Sequence, residues 1–356
     1  MTADTVGGVW TYATELIRAL PEVEFALATM GAPITTAQRE QIADLQNVLI
    51  FPSSYALEWM DDPWEEIDRA GDWLLQIARE FQPDLVHLNG YAHAALPWKR
   101  PMIVVAHSCV LSWWSAIKKC DAPPPFDEYR RRVHAGLEAA DLVIAPTQAM
   151  LNTLAVNYNF LGPSLIVSNA RDADHFRPAA KRANILAAGR AWDEAKNFAA
   201  LSAVAQRVPW PIEIAGDCVN PNGRSIGLPN ILSLGKLPAA ELTHRLERSA
   251  IYALPAHYEP FGLSVLEAGL CGCALVLGDI ASLREIWSDA AIFVDPDDHD
   301  ALASALNHLI GDERARADYA RSGRARAEEF SAGRMADGYR TAYHDCAARH
   351  ASEIAA

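Results

Sequence analysis

Two glutamates, Glu259 and Glu267, stand with seven residues between them in the segment 257–268, HYEPFGLSVLEA. This segment follows a short apolar run at 251–254, which is typical of a buried β-strand. Pro260 favours the first turn of a helix, and three leucines at helical spacing would form the buried face of that helix: Leu263, Leu266 and Leu270. We predict a strand-to-helix turn with Glu259 at its mouth and Glu267 two turns further along.

Carboxylates in these two positions are suited to binding hydroxyl groups. Two neighbouring hydroxyls of a sugar or ribose can donate to one carboxylate, which is the chemistry we expect of Glu267. The backbone N–H groups of Phe261, Gly262 and Leu263, near the start of the predicted helix, would add donors for hydroxyls or phosphate. Two glutamates at this spacing also occur on helices without any function, and the pattern alone leaves that alternative open.

The stretch EPFGLSVLEA resembles the signature of the retaining glycosyltransferases of family 4. Two further stretches are similar to segments of that family. AAGRAWDEAKN at 187–197 resembles its phosphate-binding segment, and DIASLREIWSDAAIFVDPDD at 279–298 resembles the segment that closes its donor site. The resemblance covers nearly the whole chain. It implies the two-domain GT-B fold and a nucleotide-sugar donor, a UDP- or GDP-sugar, with no metal or other cofactor.

The resemblance also implies roles for individual side chains. Arg190 and Lys196 would neutralise the donor diphosphate, Glu267 would hold the ribose, and Glu259 would contact the transferred sugar near the reacting carbon. Two fixed cations can stabilise a departing nucleoside diphosphate without a metal ion. Retention implies attack on the face that the leaving group vacates, with the donor phosphate taking the acceptor proton, so no general base is assigned.

In the first half of the chain, Gly7 and Gly8 open a predicted amphipathic helix. Glycines permit close approach of a ligand to the backbone, and a helix N-terminus favours an anion. The pair resembles the first glycine-rich loop of the family, which faces the donor phosphates and the acceptor, although a simple turn is the alternative. That family usually has a full strand before this loop, and here only residues 1–6 precede it. We therefore expect a shortened first strand or a start further upstream.

His107 ends the apolar run MIVVAHS, which predicts a strand. The resemblance implies that this histidine contacts the transferred sugar; the alternative is a hydrogen-bonded structural histidine.

The segment 98–132 is basic and aromatic. It contains seven basic and three acidic side chains, a local charge of +4, together with Trp98, Trp113 and Trp114. Aromatic faces can stack on sugar rings, and Lys or Arg would suit an anionic acceptor or a lipid headgroup. This segment is a candidate surface for a carbohydrate or glycolipid acceptor and for peripheral membrane contact. A solvated helix face would have the same composition.

Short apolar runs alternate with amphipathic stretches, which predicts an α/β protein with parallel sheets and crossover helices. The predicted strands are 24–30, 48–51, 85–88, 102–106, 142–145 and 165–167 in the first half, and 184–188, 212–215, 231–234, 251–254, 274–277 and 291–294 in the second. Each half holds about one doubly wound, Rossmann-like sheet. We predict an N-terminal domain at 1–170, a polar linker at 171–182 and a donor-binding domain at 183–330, with a helix at 331–350 packing back on the first domain and a cleft facing the carboxyl ends of both sheets.

Composition excludes several classes of protein. The chain has 356 residues, and its formal charge of −14 disfavours nucleic-acid binding, which needs clustered positive charge. No signal segment or membrane-spanning run is visible, so we expect a cytoplasmic protein with its six cysteines reduced.

Other functions fit parts of the pattern. A nucleotide-sugar epimerase on the same scaffold would need acid and base residues that the sequence does not identify, and a non-catalytic nucleotide-sugar-binding protein would bind donor without releasing nucleotide. A dinucleotide oxidoreductase is disfavoured, since no glycine-rich dinucleotide fingerprint follows a predicted strand.

Overall fold

The computed structural model describes residues 1–219, 223 and 225–355, and the chain forms two compact units. The first unit comprises Met1–Ala170 and the segment that begins at Ala332, and the second comprises Arg171–Ser331. The segment 171–182, expected to be a linker, belongs to the second unit, because Phe176 lies in the core of that unit and is only 2% exposed.

The first unit contains seven parallel strands in two hydrogen-bonded sheets. One sheet has the order β1-β2-β3 and the other β4-β5-β6-β7, with these bounds: β1 Thr2–Asp4, β2 Phe25–Met30, β3 Val48–Pro52, β4 Val86–Leu88, β5 Met102–Val105, β6 Leu142–Ala145 and β7 Ser164–Ile166. A single sheet was predicted for this half. The strand-to-strand hydrogen bonding is interrupted between β1 and β4. There Asn89, directly after β4, donates its backbone and side-chain N–H groups to Thr2 over 2.9 and 2.6 Å.

Seven helices surround these sheets: α1 Gly8–Ala19, α2 Thr36–Gln41, α3 Trp64–Phe81, α4 Val110–Lys118, α5 Asp127–Ala139, α6 Gln148–Tyr158 and the C-terminal helix Ala332–Ala355. Met335 and Tyr339 of the C-terminal helix are buried in the same apolar cluster as Trp10 and Leu16 of α1. The residues at helical spacing on this helix thus bury one face in the first unit.

Within its described residues, the second unit contains one parallel sheet of six strands in the order β10-β9-β8-β11-β12-β13. The strands are β8 Arg182–Ala188, β9 Ile212–Ala215, β10 Leu232–Gly235, β11 Ser249–Leu254, β12 Ala274–Gly278 and β13 Ile292–Val294; the helices are α7 Phe198–Val204, α8 Ala239–Arg248, α9 Leu263–Leu270, α10 Ala281–Trp287, α11 His299–Gly311 and α12 Glu313–Ala327. The winding direction reverses between the neighbouring strands β8 and β11. In open α/β sheets such a reversal forms a crevice at the carboxyl ends of the two strands, where ligands bind.

The loops at this edge of the sheet are packed closely. The backbone N–H of Gly189, directly after β8, donates to Ala215 over 3.0 Å, and that of Ala191 donates to Asp217 over 2.9 Å. A Cβ added to Gly216 would lie 1.7 Å from the Gly189 carbonyl oxygen, so only glycine permits this approach. The loop that carries Arg190 is therefore held by the loop after β9.

Candidate active site

The loop after β8 presents Arg190 from a fixed position. Asp193 is buried, and its carboxylate accepts hydrogen bonds from the Arg190 guanidinium over 2.8 Å and from the backbone of Ala195 over 3.0 Å. The guanidinium also lies over the Trp192 ring, 5.2 Å from its centroid. The side chain of Arg190 remains 41% exposed. Its charge is thus oriented by two neighbours and still open to an anion.

Lys196 and Glu259 form an ion pair at the carboxyl ends of β8 and β11. Lys196 Nζ lies 2.5 Å from Glu259 Oε2, and the two side chains are only 16% and 12% exposed. Asn197, with a left-handed φ of 54°, follows the lysine and donates its side-chain amide to the carbonyls of Pro255 and Pro296 over 2.9 and 2.8 Å. These bonds connect the loops after β8, β11 and β13, so the position of the pair is set by three strands.

The turn after β11 differs from the prediction in one respect. Helix α9 begins at Leu263, and Pro260 therefore precedes the helix, whereas it was predicted within the first turn. The reason is Gly262, whose φ of +92° interrupts the helical conformation, and a Cβ there would lie 3.0 Å from Val265. Of the predicted apolar face, Leu266 and Leu270 are buried, and Leu263 is partly exposed.

Glu267, one turn into α9, pairs with a residue that the sequence patterns did not identify. Its Oε1 lies 2.9 Å from Arg171 Nε, and the two side chains are 14% and 17% exposed. No sequence pattern indicates this contact, because Arg171 stands in a polar segment far from Glu267 along the chain. The two residues come together because the segment 171–182 folds into the second unit.

The same edge of the sheet is tied together by a buried tyrosine. The Tyr252 hydroxyl lies 2.8 Å from Ser264 Oγ on α9 and 3.1 Å from the Ala188 carbonyl at the end of β8. The structure thus gathers Arg190, Lys196, Glu259 and Glu267 around the β8/β11 crevice. Phe261 is also there, but its side chain is buried edge-on against Phe330, with ring centroids 5.6 Å apart. Phe261 as a whole is only 3% exposed.

His107, Gly7 and Gly8 belong to the first unit. His107 follows β5, and its Nε2 lies 2.8 Å from Asn89 Oδ1, an acceptor, so Nε2 carries the proton. Its ring contacts Tyr12 edge-on, with centroids 4.5 Å apart. Burial lowers the pKa of His107 to about 3, and the imidazole is therefore neutral at pH 7.

Gly7 provides an open N-terminus for α1. Its φ of +109° lies in the left-handed region that favours glycine, and an added Cβ would meet no atom within 4 Å. Both Gly7 and Gly8 are exposed. Strand β1 is three residues long and pairs in parallel with β2.

Much of the positive charge in the segment 98–132 is paired. Arg130 bonds to Asp127 over 3.3 Å, Arg131 to Glu128 over 2.6 Å, and Arg132 to both Glu128 and Asp68. Four other cations of the segment are exposed: Lys99, Arg100, Lys118 and Lys119. Lys118 lies 5.7 Å from the Trp113 ring centroid. The local charge of +4 already counts Asp127 and Glu128, and only Asp68, from outside the segment, offsets a further positive charge.

Among the described residues, no helix is both long and apolar enough to cross a membrane. Within the same ranges, no three His, Cys, Asp or Glu side chains are grouped as metal ligands would be. The six cysteines are free thiols in this structure.

Two α/β units with parallel sheets define a fold of the GT-B class, and solved structures share it. Sucrose-phosphate synthase from Thermosynechococcus elongatus superposes with a TM-score of 0.79 at 18% identity, over 98% of this chain and 95% of that one. Anabaena Alr3699/HepE in complex with UDP-glucose gives a TM-score of 0.74 at 16% identity, over 97% of this chain and 100% of that one. The predicted fold class is confirmed.

The family is defined by two matches that together span most of the chain. Residues 6–175 match the model of glycosyltransferase family 4, and residues 181–326 match that of glycosyl transferases group 1. The chain belongs to the glycosyltransferases that these two models describe. Glycogen synthase of Mycobacterium tuberculosis (strain CDC 1551 / Oshkosh) is 28% identical over 282 residues, which cover 70% of this chain and 65% of that relative. The chain spans less than two thirds of the length of the curated relatives that it matches most strongly.

Proposed function

We propose that this protein is a retaining glycosyltransferase that moves a sugar from a nucleotide-diphosphate sugar to an acceptor hydroxyl. The observation that carries the proposal is the arrangement at the β8/β11 crevice. Two carboxylates, Glu259 and Glu267, and two cations, Arg190 and Lys196, lie there at the point where the sheet reverses its winding. Glu267 is on helix α9, and the other three are on the loops after β8 and β11. That combination suits a ligand with both hydroxyls and a diphosphate.

Donor binding would separate the Lys196–Glu259 ion pair. The donor diphosphate would bind Lys196, and Glu259 would then accept hydrogen bonds from the transferred sugar. Because both side chains are largely buried, each new contact forms in a medium of low dielectric constant, where charge interactions are stronger than in water. Arg190 would add a second positive charge, and the N–H groups at the start of α9 would add donors for hydroxyls or phosphate.

The proposed step breaks the bond between the anomeric carbon and the phosphate oxygen, and its electron pair leaves with the nucleoside diphosphate. Arg190 and Lys196 would stabilise the negative charge that develops there. The acceptor oxygen forms its bond on the vacated face and passes its proton to the departing phosphate. Glu259, and by family resemblance the backbone near His107, would stabilise positive charge on the anomeric carbon; Gly7 and Gly8 are assigned to the phosphates and the acceptor on the same ground.

For the donor we propose a UDP-sugar first and a GDP-sugar second. The similar Anabaena protein has been crystallised with UDP-glucose, which supports the first choice. For the acceptor we propose a carbohydrate or a glycolipid. The exposed cations Lys118 and Lys119, beside Trp113 at the end of α4, are the candidate surface for it and for peripheral membrane contact.

The test is release of nucleoside diphosphate from UDP-, GDP- and ADP-sugars, with and without a pool of acceptors. We compare the wild type with Glu267→Ala and with the control Arg321→Ala, whose side chain is 73% exposed on α12. We expect release from one donor class by the wild type and the control, and at least a tenfold loss in Glu267→Ala. Donor binding without release would instead indicate a non-catalytic binding protein, and conversion of the donor without acceptor an epimerase.

A further inference from the structure

Arg171 is the first residue of the second unit, at the place where the chain enters and leaves that unit. Its backbone N–H donates to the carbonyl of Phe330 over 3.3 Å, and it forms an isolated parallel bridge with Ser331, the last residue of the unit. The segment that enters the second unit and the segment that leaves it are therefore hydrogen-bonded to each other at Arg171.

The Arg171 side chain runs from this crossing to Glu267. Its guanidinium lies 5.1 Å from the ring centroid of Phe176, which is itself fixed in the core of the unit, and its Nε lies 2.9 Å from Glu267 Oε1. The positive guanidinium attracts the negative Glu267 carboxylate through this contact. Glu267 is thus oriented from outside its own helix.

A carboxylate can accept about four hydrogen bonds. The contact with Arg171 involves Oε1 of Glu267. Without a partner, a glutamate side chain samples several rotamers, and fixing one of them on binding costs conformational entropy. Arg171 removes that cost before a ligand arrives.

We propose that Arg171 is a positioning residue of the donor site, which holds Glu267 in the orientation that accepts the two neighbouring hydroxyls of a ribose. This inference rests on the proposed function and deepens it. It assigns the recognition of the ribose to the pair of Arg171 and Glu267, where the sequence patterns had indicated the glutamate alone. The residue at which the chain enters the second unit would thus take part in recognition of the ribose.

The experiment measures binding of UDP, GDP and ADP, and of their 2′-deoxy counterparts, to the full chain by titration calorimetry. The variants are Arg171→Met, Arg171→Lys and Glu267→Ala. Arg177→Met is the matched control, since Arg177 lies in the same segment and is exposed. A hydrogen bond to a charged group sets the expected scale, and we expect the wild type to bind one ribonucleotide about tenfold more tightly than its 2′-deoxy form. We expect Arg171→Met and Glu267→Ala to reduce this preference to less than about threefold, Arg171→Lys to restore part of it, and the control to keep it.

A merely structural arginine would change stability or overall affinity but would leave the ratio of ribose to deoxyribose binding unchanged. A preference that is lost in Glu267→Ala but kept in Arg171→Met overturns the role of Arg171 and leaves the donor site standing. Tighter binding by Arg171→Met would mean that the arginine competes with the ribose, and would also overturn it. A wild type that binds none of the three diphosphates overturns the donor site and this inference together. If Arg171→Met does not fold, the same ratio in Arg171→Lys decides.

Discussion

Breaking the Lys196–Glu259 ion pair separates its contribution to stability from its contribution to catalysis. The perturbations are Lys196→Met, Glu259→Gln and the two together, which remove either charge or both while nearly conserving volume. The side chains are 16% and 12% exposed, so the pair lies between the exposed pairs, worth up to about 1 kcal/mol, and fully buried ones, where loss of one partner costs about 3–5 kcal/mol. We expect each single variant to lose about 2 kcal/mol of unfolding free energy.

The double variant should lose less than the sum of the single variants, because no uncompensated charge remains, with a coupling energy of about 1–2 kcal/mol. Urea unfolding followed by circular dichroism measures this cycle. Turnover of the nucleotide sugar is measured on the same four proteins. We expect at least a tenfold loss of turnover in Lys196→Met, and no recovery in the double variant, since the donor requires both side chains.

Two results would refute this reasoning. Recovery of turnover in the double variant would show that the pair acts only by stabilising the fold. Single variants that unfold at the same urea concentration as the wild type would show that the two charges do not depend on each other in solution.

Three further predictions concern other parts of the molecule. Burial lowers the pKa of His87 and of His107 below the ordinary value of 6.5, so the unfolded chain binds more protons than the folded chain just below that pH. Stability should therefore fall as the pH drops from 7 to 4, and His107→Asn should make the fall shallower; an unchanged slope in urea titrations would contradict this. Gly216→Ala should cost at least about 2 kcal/mol and lower turnover by displacing the Arg190 loop, whereas Gly311→Ala, where a Cβ meets no atom within 4 Å, should change the unfolding free energy by less than about 0.5 kcal/mol. Charge reversal of Lys118 and Lys119 should raise the acceptor KM several-fold without changing the donor KM, and unchanged acceptor kinetics and vesicle binding would remove that surface from the account.

The strands could be predicted from the sequence because most are buried on both faces. In the second unit, β11 and β12 are fully buried, and such strands are continuous apolar runs bounded by turns. Strand β1, Thr2–Asp4, was not among the predicted strands, because a run of three residues with polar Thr2 and Asp4 shows no apolar pattern. The start of α9 was misplaced because Pro260 is a common first residue of helices and Gly262, which sets the actual start, gives a weaker signal.

The sequence predicts that several candidate site residues lie near one another, but it does not predict which of them are in contact. Arg190, Lys196 and Glu259 follow predicted strands, and the carboxyl ends of neighbouring parallel strands meet at one edge of a sheet. The pairing of Lys196 with Glu259 depends on β8 and β11 being neighbours, and the pairing of Arg171 with Glu267 on the folding of a polar segment. Neither follows from spacing along the chain.

Transfer of a sugar with retention at the β8/β11 crevice is tested most directly by proton NMR of the reaction, with the donor that the release assay identifies. We predict that the anomeric signal of the new glycoside has the same configuration as in the donor, that it grows in step with the nucleoside diphosphate, and that Glu267→Ala produces neither. A product of inverted configuration would contradict the retaining mechanism, and a donor that stays intact with every acceptor tried would contradict glycosyl transfer itself.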